Sequence, residues 1–294
     1  MKNKLLFLFT VSTIFIILFC NPLISGFGPN THLNITLTCL EDSDEGLIKN
    51  LINENLDACY AGLEYPDVGI FEYYTNFKAY AGLHNYNAVD EMLRVAQNDR
   101  ERTFAYCYKI HLAEDGVSHN YFVPAAIKRT KLPNYIIHPV EELKIEGRYL
   151  DPRANRMMEN HAEFDSLVEQ ATGRDWSAEA DKLNIIIGGG AFYTTAYVPE
   201  SVTLIGKSQN FLYKAVNLFV SPEVGVDYRN LAILECKGVL RGETSALDPS
   251  GEKALSQSDA QTQFWLYGVT FVVMIIILAL SLKYGLIGFK RRRR

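Results

Sequence analysis

The sequence predicts an all-α protein with a C-terminal transmembrane helix. Apolar residues recur at helical spacing in several separate stretches of the chain, whereas strand signals are few. The run 264–282 contains nineteen residues without a charge, which is close to the roughly 20 residues that a helix needs to cross a bilayer. Together these observations predict a helical body that is attached to a membrane.

Residues 1–26 have the layout of a secretory signal. Lys2 and Lys4 precede the apolar run 5–19, and Ser25 and Gly26 provide the small residues of a cleavage site. The apolar run is long for a signal, so an uncleaved membrane anchor is the alternative interpretation.

The C-terminal end predicts the orientation of the protein. A helix over 264–288 would cross the membrane once, and the basic tail 289–294 would remain in the cytoplasm because positive residues are retained on that side. The body, 27–241, would then face outward. The segment 242–263 is rich in Ser, Gly, Asp, Glu and Gln and is predicted to be the linker.

The predicted outward part is acidic. The chain has 29 Lys and Arg, of which eight lie in the two predicted membrane-associated ends, so the rest has 21 basic residues against all 34 Asp and Glu. This balance opposes general binding of nucleic acid, which needs a basic surface. Bound divalent cations would reverse the field locally and weaken that conclusion.

The body is predicted to consist mainly of helices. Apolar spacing and capping residues predict helices over 47–59, 87–98, 101–116, 154–171 and 207–219. Leu231–Leu240 is the one stretch in which a strand competes with a helix. The sequence contains no internal repeat.

Four cysteines lie in the predicted outward part, where disulfides are permitted: Cys39, Cys59, Cys107 and Cys236. Three pairings of the four are open. Cys107 precedes His111 by four residues, so a thiolate ligand to zinc is one interpretation. We expect it instead to be packed or disulfide-bonded, as most cysteines are.

The stretch 106–121 carries the first candidate site. His111, Asp115 and His119 follow one another at steps of four, which places them on one face of a helix. Two imidazoles and a carboxylate on one stripe can converge on a metal ion.

Other residues provide ligands of the same kind. His138 and Glu142 repeat the spacing of four, and Pro139 suits the first turn of a helix there. The remaining candidates are His32, Asp67 and His84. Each alone is readily a surface or core residue, but the set of imidazoles and carboxylates favours zinc over manganese or iron.

Two further features are predicted to be structural. His161 shares an apolar stripe with Met157 and Phe164, so we interpret it as a core histidine with satisfied hydrogen bonds. The sequon at Asn34 lies on a helix that begins inside the core, so we expect it to be silent.

The candidate ligands lie in a recognisable order of motifs. These are FGPNTH ending at His32, AGLEYPD ending at Asp67, then His84, HLAEDGVSH and HPVEE. In order and spacing the set resembles the zinc-dependent phospholipase C family. It is most similar to the catalytic domain of glycosylphosphatidylinositol-specific phospholipase D, and more distantly to the single-strand-specific zinc nucleases. The resemblance covers about residues 27–145.

The resemblance implies a helical zinc phospholipase C/nuclease-like domain built around three zinc ions. It also implies that cleavage after Gly26 makes Phe27 the mature N-terminal residue and a ligand through its amine and carbonyl. Asp115 would bridge the first two ions. The ligand sets implied are Asp67, His84, His111 and Asp115 for the first ion, Phe27, His32 and Asp115 for the second, and His119, His138 and Glu142 for the third.

Two positions depart from the wider family. The nucleases and bacterial lipases have Trp where this chain has Phe27. They also separate the residues that correspond to Asp115 and His119 by six positions, whereas this chain separates them by four. The spacing of four matches the phospholipase D-like branch.

The resemblance implies a phosphoesterase with Asp67 and Asp115 in its catalytic site. Paired divalent ions lower the pKa of a bridging water and supply hydroxide as the nucleophile. The role of Asp67 as ligand, general base or both is open. A membrane tether favours a phospholipid or lipid-linked phosphate as substrate. The alternatives are a tethered zinc nuclease or nucleotidase, and a non-catalytic metal-binding surface protein.

Overall fold

The computed structural model describes residues 27–72, 76–130, 145–146, 148–149, 151–188 and 224–251. All of them belong to one compact unit. They form helices and turns, and no strand occurs among them, which confirms the predicted all-α class for this part of the chain. The α-helices are α1 (Pro29–Asp42), α2 (Leu47–Glu54), α3 (Leu56–Glu64), α4 (Phe77–Leu83), α5 (Tyr86–Val95), α6 (Asp99–Val117), α7 (Val123–Thr130), α8 (Asp165–Thr172), α9 (Ser177–Gly188) and α10 (Val224–Leu240).

Helix α6 is the central element, and its first turn is strongly capped. The Asn98 side chain accepts a hydrogen bond from the Glu101 backbone nitrogen at 2.9 Å, and the Glu101 carboxylate accepts one from Gln97 at 2.6 Å. Acidic residues in this turn also interact favourably with the helix dipole. The helix therefore begins at a defined residue before it enters the core.

The core surrounds α6 on two sides. Ile110 and Val117 belong to a cluster that includes residues of α1 and α10. Phe104 and Leu112 belong to a second cluster, with residues of α5, α8 and α9. Because α6 is covered on both faces, any polar side chain on its central turns is removed from water.

Two disulfides attach the helices that carry His32 and His111 to neighbouring helices. Cys39–Cys236 joins α1 to α10, and Cys59–Cys107 joins α3 to α6. The expectation that Cys107 is packed or disulfide-bonded is confirmed. The sequence had left this pairing as one of three.

The predicted helix 47–59 is interrupted at a single residue. Asn55 lies between α2 and α3, and its side-chain nitrogen donates to the Leu51 carbonyl oxygen at 3.0 Å. An Asn side chain that bonds nearby backbone in this way competes with the helical ladder. The predictions for 87–98 and 101–116 correspond to α5 and α6.

The predicted helix 154–171 is correct only at its end, where α8 begins at Asp165. Before it the chain forms 3₁₀ segments, Pro152–Arg156 and His161–Glu163, joined by turns. The apolar residues of this stretch are nevertheless buried. The apolar spacing therefore predicted burial but not an unbroken helix. Leu231–Leu240, where a strand was the alternative, lies in α10.

Three predicted segments lie outside the described residues: the signal 1–26, the helix 207–219 and the membrane-spanning segment 264–288. Among the helices that are described, none combines the length and hydropathy that a bilayer crossing requires. Of the predicted linker, residues 242–251 are described, and their last residues pack on the body.

Candidate metal centre

Three elements place four potential ligands together. Helix α6 carries His111 and Asp115, the 3₁₀ segment Tyr65–Glu72 carries Asp67, and His84 caps the C-terminus of α4. All four are buried, and each offers one ligand atom within 4.8 Å of the others. This group can hold a metal ion.

The oxygen Oδ2 of Asp115 faces two histidines. His111 Nε2 lies 3.1 Å from it and His84 Nε2 lies 3.4 Å from it. Asp67 Oδ1 completes the group at 3.8 Å from each of these ring nitrogens. Two imidazole nitrogens and two carboxylate oxygens are a common donor set for zinc.

The other oxygen of Asp115 faces a different set. His32 Nε2 lies 3.4 Å from Asp115 Oδ1, and the Phe27 backbone nitrogen donates to the same oxygen at 3.3 Å. The His32 ring is stacked on that of His111, with the ring centroids 4.1 Å apart. The two oxygens of one carboxylate therefore face two separate groups of nitrogen atoms.

In each of the three histidines the Nδ1 atom already has a partner. His111 Nδ1 lies 2.6 Å from the Leu63 carbonyl oxygen, and His84 Nδ1 lies 3.3 Å from that of Tyr80. A carbonyl oxygen can only accept, so Nδ1 carries the proton in these two rings. His32 Nδ1 lies 2.5 Å from Glu114 Oε2.

The Nε2 atoms of these rings are buried and make no hydrogen bond of normal geometry: His32, His84 and His111. Asp115 Oδ2 is also buried and also makes no hydrogen bond of normal geometry. Buried polar atoms that converge without hydrogen bonds are costly, and a cation at their centre would satisfy them all. The residues present therefore fit a metal ion.

The ionisation of the centre is strongly perturbed. Burial lowers the pKa of His84, but the carboxylates of Asp115 and Asp67 outweigh it and raise that pKa to about 9. Burial opposes the charge of Asp115 too, yet the adjacent histidines, His111 first, hold its pKa well below its usual range. The carboxylates thus favour positive charge among the imidazoles that surround them, which is the condition for holding a cation.

Two buried acids next to the ligands were not predicted. Glu114 accepts from Thr36 Oγ1 at 3.0 Å and pairs with His32, and burial raises its pKa to about 7. Burial also raises the pKa of Glu64 well above its usual range, and Asp67 adds to this effect. Both acids lie among positions that the helical apolar spacing predicts to be buried, and this was the signal by which the sequence could have revealed them.

A third unpredicted acid, Glu146, holds the start of α1. Its carboxylate accepts from the Asn30 backbone nitrogen at 3.0 Å, from Asn30 Nδ2 at 2.9 Å and from the Thr31 backbone nitrogen at 2.8 Å. The two backbone nitrogens are donors that the first turn of a helix leaves without partners four residues earlier. Glu146 thereby fixes the helix that carries His32.

The predicted third group of ligands is only partly described. His119 is buried in the π-helical segment Ser118–Phe122 that interrupts the helix between α6 and α7. It is not one of the four residues of the group around Asp115 Oδ2. His138 and Glu142 lie outside the described residues, so the assignment of these three to one ion stays a prediction.

The prediction that His161 is a core residue is confirmed. The side chain is buried, Nδ1 lies 3.4 Å from Asp165 Oδ1, and Nε2 lies 3.2 Å from Asp181 Oδ1. The Oδ1 atom of Asn34 accepts from Arg229 Nε at 2.7 Å, and the silence of its sequon stays a prediction.

Comparison with known proteins identifies no relative of this chain. No family model, no curated protein and no solved structure matches the chain. The residues of the centre and their geometry are therefore the basis for assigning a function.

Proposed function

We propose that this protein is a membrane-anchored, outward-facing zinc phosphoesterase that hydrolyses phospholipid or lipid-linked phosphodiesters. The observation that carries the proposal is the position of Asp115, whose two oxygens face different nitrogen groups. A carboxylate in that position can bridge two cations, and paired cations are the usual equipment for phosphodiester hydrolysis.

Each side of Asp115 has the ligands for one zinc ion. The ion on the Oδ2 side would have Asp67, His84 and His111 as its other ligands. His32 and Phe27 would complete the ion on the Oδ1 side, with Phe27 acting through its backbone amine and carbonyl after cleavage behind Gly26. Its backbone nitrogen already lies 3.3 Å from Asp115 Oδ1, which supports this role.

A third ion would be held by His119, His138 and Glu142. The motifs of the sequence are the support for this ion, in the order and spacing of the zinc-dependent phospholipase C family. Histidine and carboxylate ligands favour zinc at all three positions. Cys39 of α1 and Cys107 of α6 are in disulfides, so neither offers a thiolate ligand.

Bound zinc ions would lower the pKa of a water molecule and neutralise the non-bridging oxygens of the phosphate. The side chain of Asp67 is 10% exposed, whereas those of His84 and His111 are fully buried. Asp67 is therefore the most exposed of these ligands, and whichever of its oxygens is not bound to the ion would be placed to accept the proton of the attacking water.

The membrane anchor supports a lipid substrate. A predicted spanning helix at 264–288 and the preceding linker would confine the centre to the neighbourhood of a lipid surface, which raises its effective concentration there. The acidic balance of the body opposes nucleic acid as the general substrate.

Metal analysis of the purified protein combined with a panel of phosphodiesters tests the proposal. We expect three zinc ions per chain, with hydrolysis of phospholipid that stops on addition of a chelator. Fewer than two zinc ions per chain would contradict it. Hydrolysis of single-stranded nucleic acid without any of phospholipid would select the nuclease alternative, and full zinc content without hydrolysis would select the non-catalytic one.

Two matched variants test the bridging role. Asp115→Asn should lose about two ions, whereas Glu142→Gln should lose about one, because only Asp115 serves two sites. Equal losses would show that Asp115 is not the bridge. Sequencing of the mature N-terminus should begin at Phe27.

A further inference from the structure

The end of the described chain packs against the π-helical segment. Asn120 Nδ2 donates to the Asp248 carbonyl oxygen at 2.8 Å and to the Gly116 carbonyl oxygen at 2.7 Å. Leu247 lies directly on Gly116, where an added Cβ would be 2.8 Å from Leu247 Cβ. Residues 247–251, which we call the docked segment, thus rest on the same face of the helix as His119.

The docked segment contacts His119 through its backbone. His119 Nδ1 lies 2.7 Å from the Pro249 carbonyl oxygen, across 130 residues of sequence. Because a carbonyl oxygen only accepts, Nδ1 carries the proton and Nε2 is the nitrogen that can bind metal. The same arrangement occurs at His111, whose Nδ1 faces the Leu63 carbonyl oxygen.

The turn of the docked segment is held in place on both sides of that carbonyl group. Asp248 Oδ1 accepts from the Ser250 backbone nitrogen at 3.1 Å and from Ser250 Oγ at 2.8 Å. Gly251 has φ +67° and lies against the imidazole, so that an added Cβ would be 3.2 Å from His119 Cβ and Cγ. Only a glycine combines this backbone angle with so close an approach.

We propose that the docked segment is a positioning element for the third metal ion, because it fixes the tautomer and the orientation of His119. This inference rests on the proposed function, in which His119 is a zinc ligand. Plain packing would use apolar side chains, whereas the contacts with His119 and Asn120 are made by backbone carbonyl oxygens. The affinity of the third ion is then influenced by residues that lie within the predicted linker.

The chain offers a matched pair of variants for the test. Gly251→Ala introduces a side chain at φ +67° against His119, whereas Gly242→Ala introduces one at φ +84° with no atom within 4 Å. Both impose similar backbone strain, and only the first disturbs His119. Asn120→Ala weakens the docking without backbone strain and serves as a second variant if Gly251→Ala does not fold.

Zinc content and affinity are measured for the full chain of each variant. We expect Gly251→Ala and Asn120→Ala to bind one ion about 10–100-fold more weakly, the range for loss of a partner that orients a ligand. Gly242→Ala should match the unsubstituted protein. In the cobalt-substituted protein, the exchangeable ring N–H resonance of His119 should shift or disappear in the first two variants, while that of His111 is retained.

The outcomes separate the two proposals. Three ions in the unsubstituted protein with identical affinities in all variants would overturn the positioning role and leave the proposed function intact. Fewer than two ions in the unsubstituted protein would contradict the proposed function itself. Equal weakening by Gly251→Ala and Gly242→Ala would show that backbone strain, rather than contact with His119, is the cause, and would also overturn the positioning role.

Discussion

Two histidines of this protein have an aspartate four residues later, and the two pairs differ in their surroundings. At His111–Asp115 both side chains are fully buried and the ring nitrogen shares its oxygen with a second histidine. At His161–Asp165 the ring is buried, but each nitrogen has its own carboxylate, and the Asp181 side chain is 72% exposed. At the first pair further buried ligand atoms converge on one carboxylate oxygen, whereas at the second each ring nitrogen has its own carboxylate.

The difference lies in what surrounds each pair rather than in its spacing. Helix α6 is covered on both faces, so the charge of Asp115 has no access to water. The turn at His161 lies at the edge of the body, where an exposed acid can complete the ring. A spacing of four therefore predicts that two side chains meet, while convergence of further buried ligands predicts metal binding.

The largest expected difference between the two regions is in stability. In the metal-free protein, Asp115→Asn should lower the free energy of unfolding by about 3–5 kcal/mol, because it removes one partner of a buried charged group. Asp181→Asn, which removes an exposed partner of His161, should cost no more than about 1 kcal/mol. Urea denaturation of both variants measures the two values, and similar costs would contradict the comparison.

The second expected difference is in pH dependence. The folded-state pKa of His84 is about 9 against an ordinary value of 6.5. A raised histidine pKa stabilises the folded state fully below pH 6.5 and loses that contribution as the pH rises through 9. The metal-free protein should therefore lose up to about 3 kcal/mol of stability across this window.

Zinc should abolish this loss, because its ligands are neutral imidazoles at every pH of the window. Denaturation curves at pH 6, 7.5 and 9, with and without zinc, check the prediction. His84→Gln is the control and should remove the part of the decline that His84 contributes, while His32, whose pKa is also raised, despite burial, by Asp115 and Glu114, contributes the rest. A decline that persists in the zinc-saturated protein would mean that His84 is not a ligand.

The smallest expected effect concerns Glu114, which holds His32 from behind. Glu114→Gln should lower the affinity for the zinc ion on the Oδ1 side about 10–100-fold, because its ligand His32 loses a charged partner. The ion on the Oδ2 side should be unaffected. Zinc competition with a coloured chelator resolves the two affinities. Glu159→Gln, at an exposed acid that pairs with Arg156, is the control and should change neither.

The part of the centre that is local in sequence could be predicted. The spacing of His111 and Asp115 on one helix follows from helical geometry, and α6 confirms it. Asp67 and His84 come from separate elements, and the order of motifs placed them in the same ion's ligand set. The four meet in the structure as that interpretation required.

Other features depend on tertiary structure and had no local signal. The π-helical segment changes the helix at Ser118, so His119 does not simply continue the stripe of His111 and Asp115. Glu146 caps α1 from more than a hundred residues away. The composition of 242–251 is that of a linker, yet its end packs on the π-helical segment because backbone carbonyl oxygens, which composition does not reveal, make the contacts.

The disulfide between Cys39 and Cys236 has a practical consequence. It joins α1, which precedes the segment 189–223, to α10, which follows it. A single proteolytic cut anywhere in that segment would leave α10 covalently attached to the rest of the body. Such a nicked molecule would run as one species on a gel without reductant and as two species after reduction. A gel without reductant would therefore not distinguish intact molecules from cut ones that retain the whole group around Asp115.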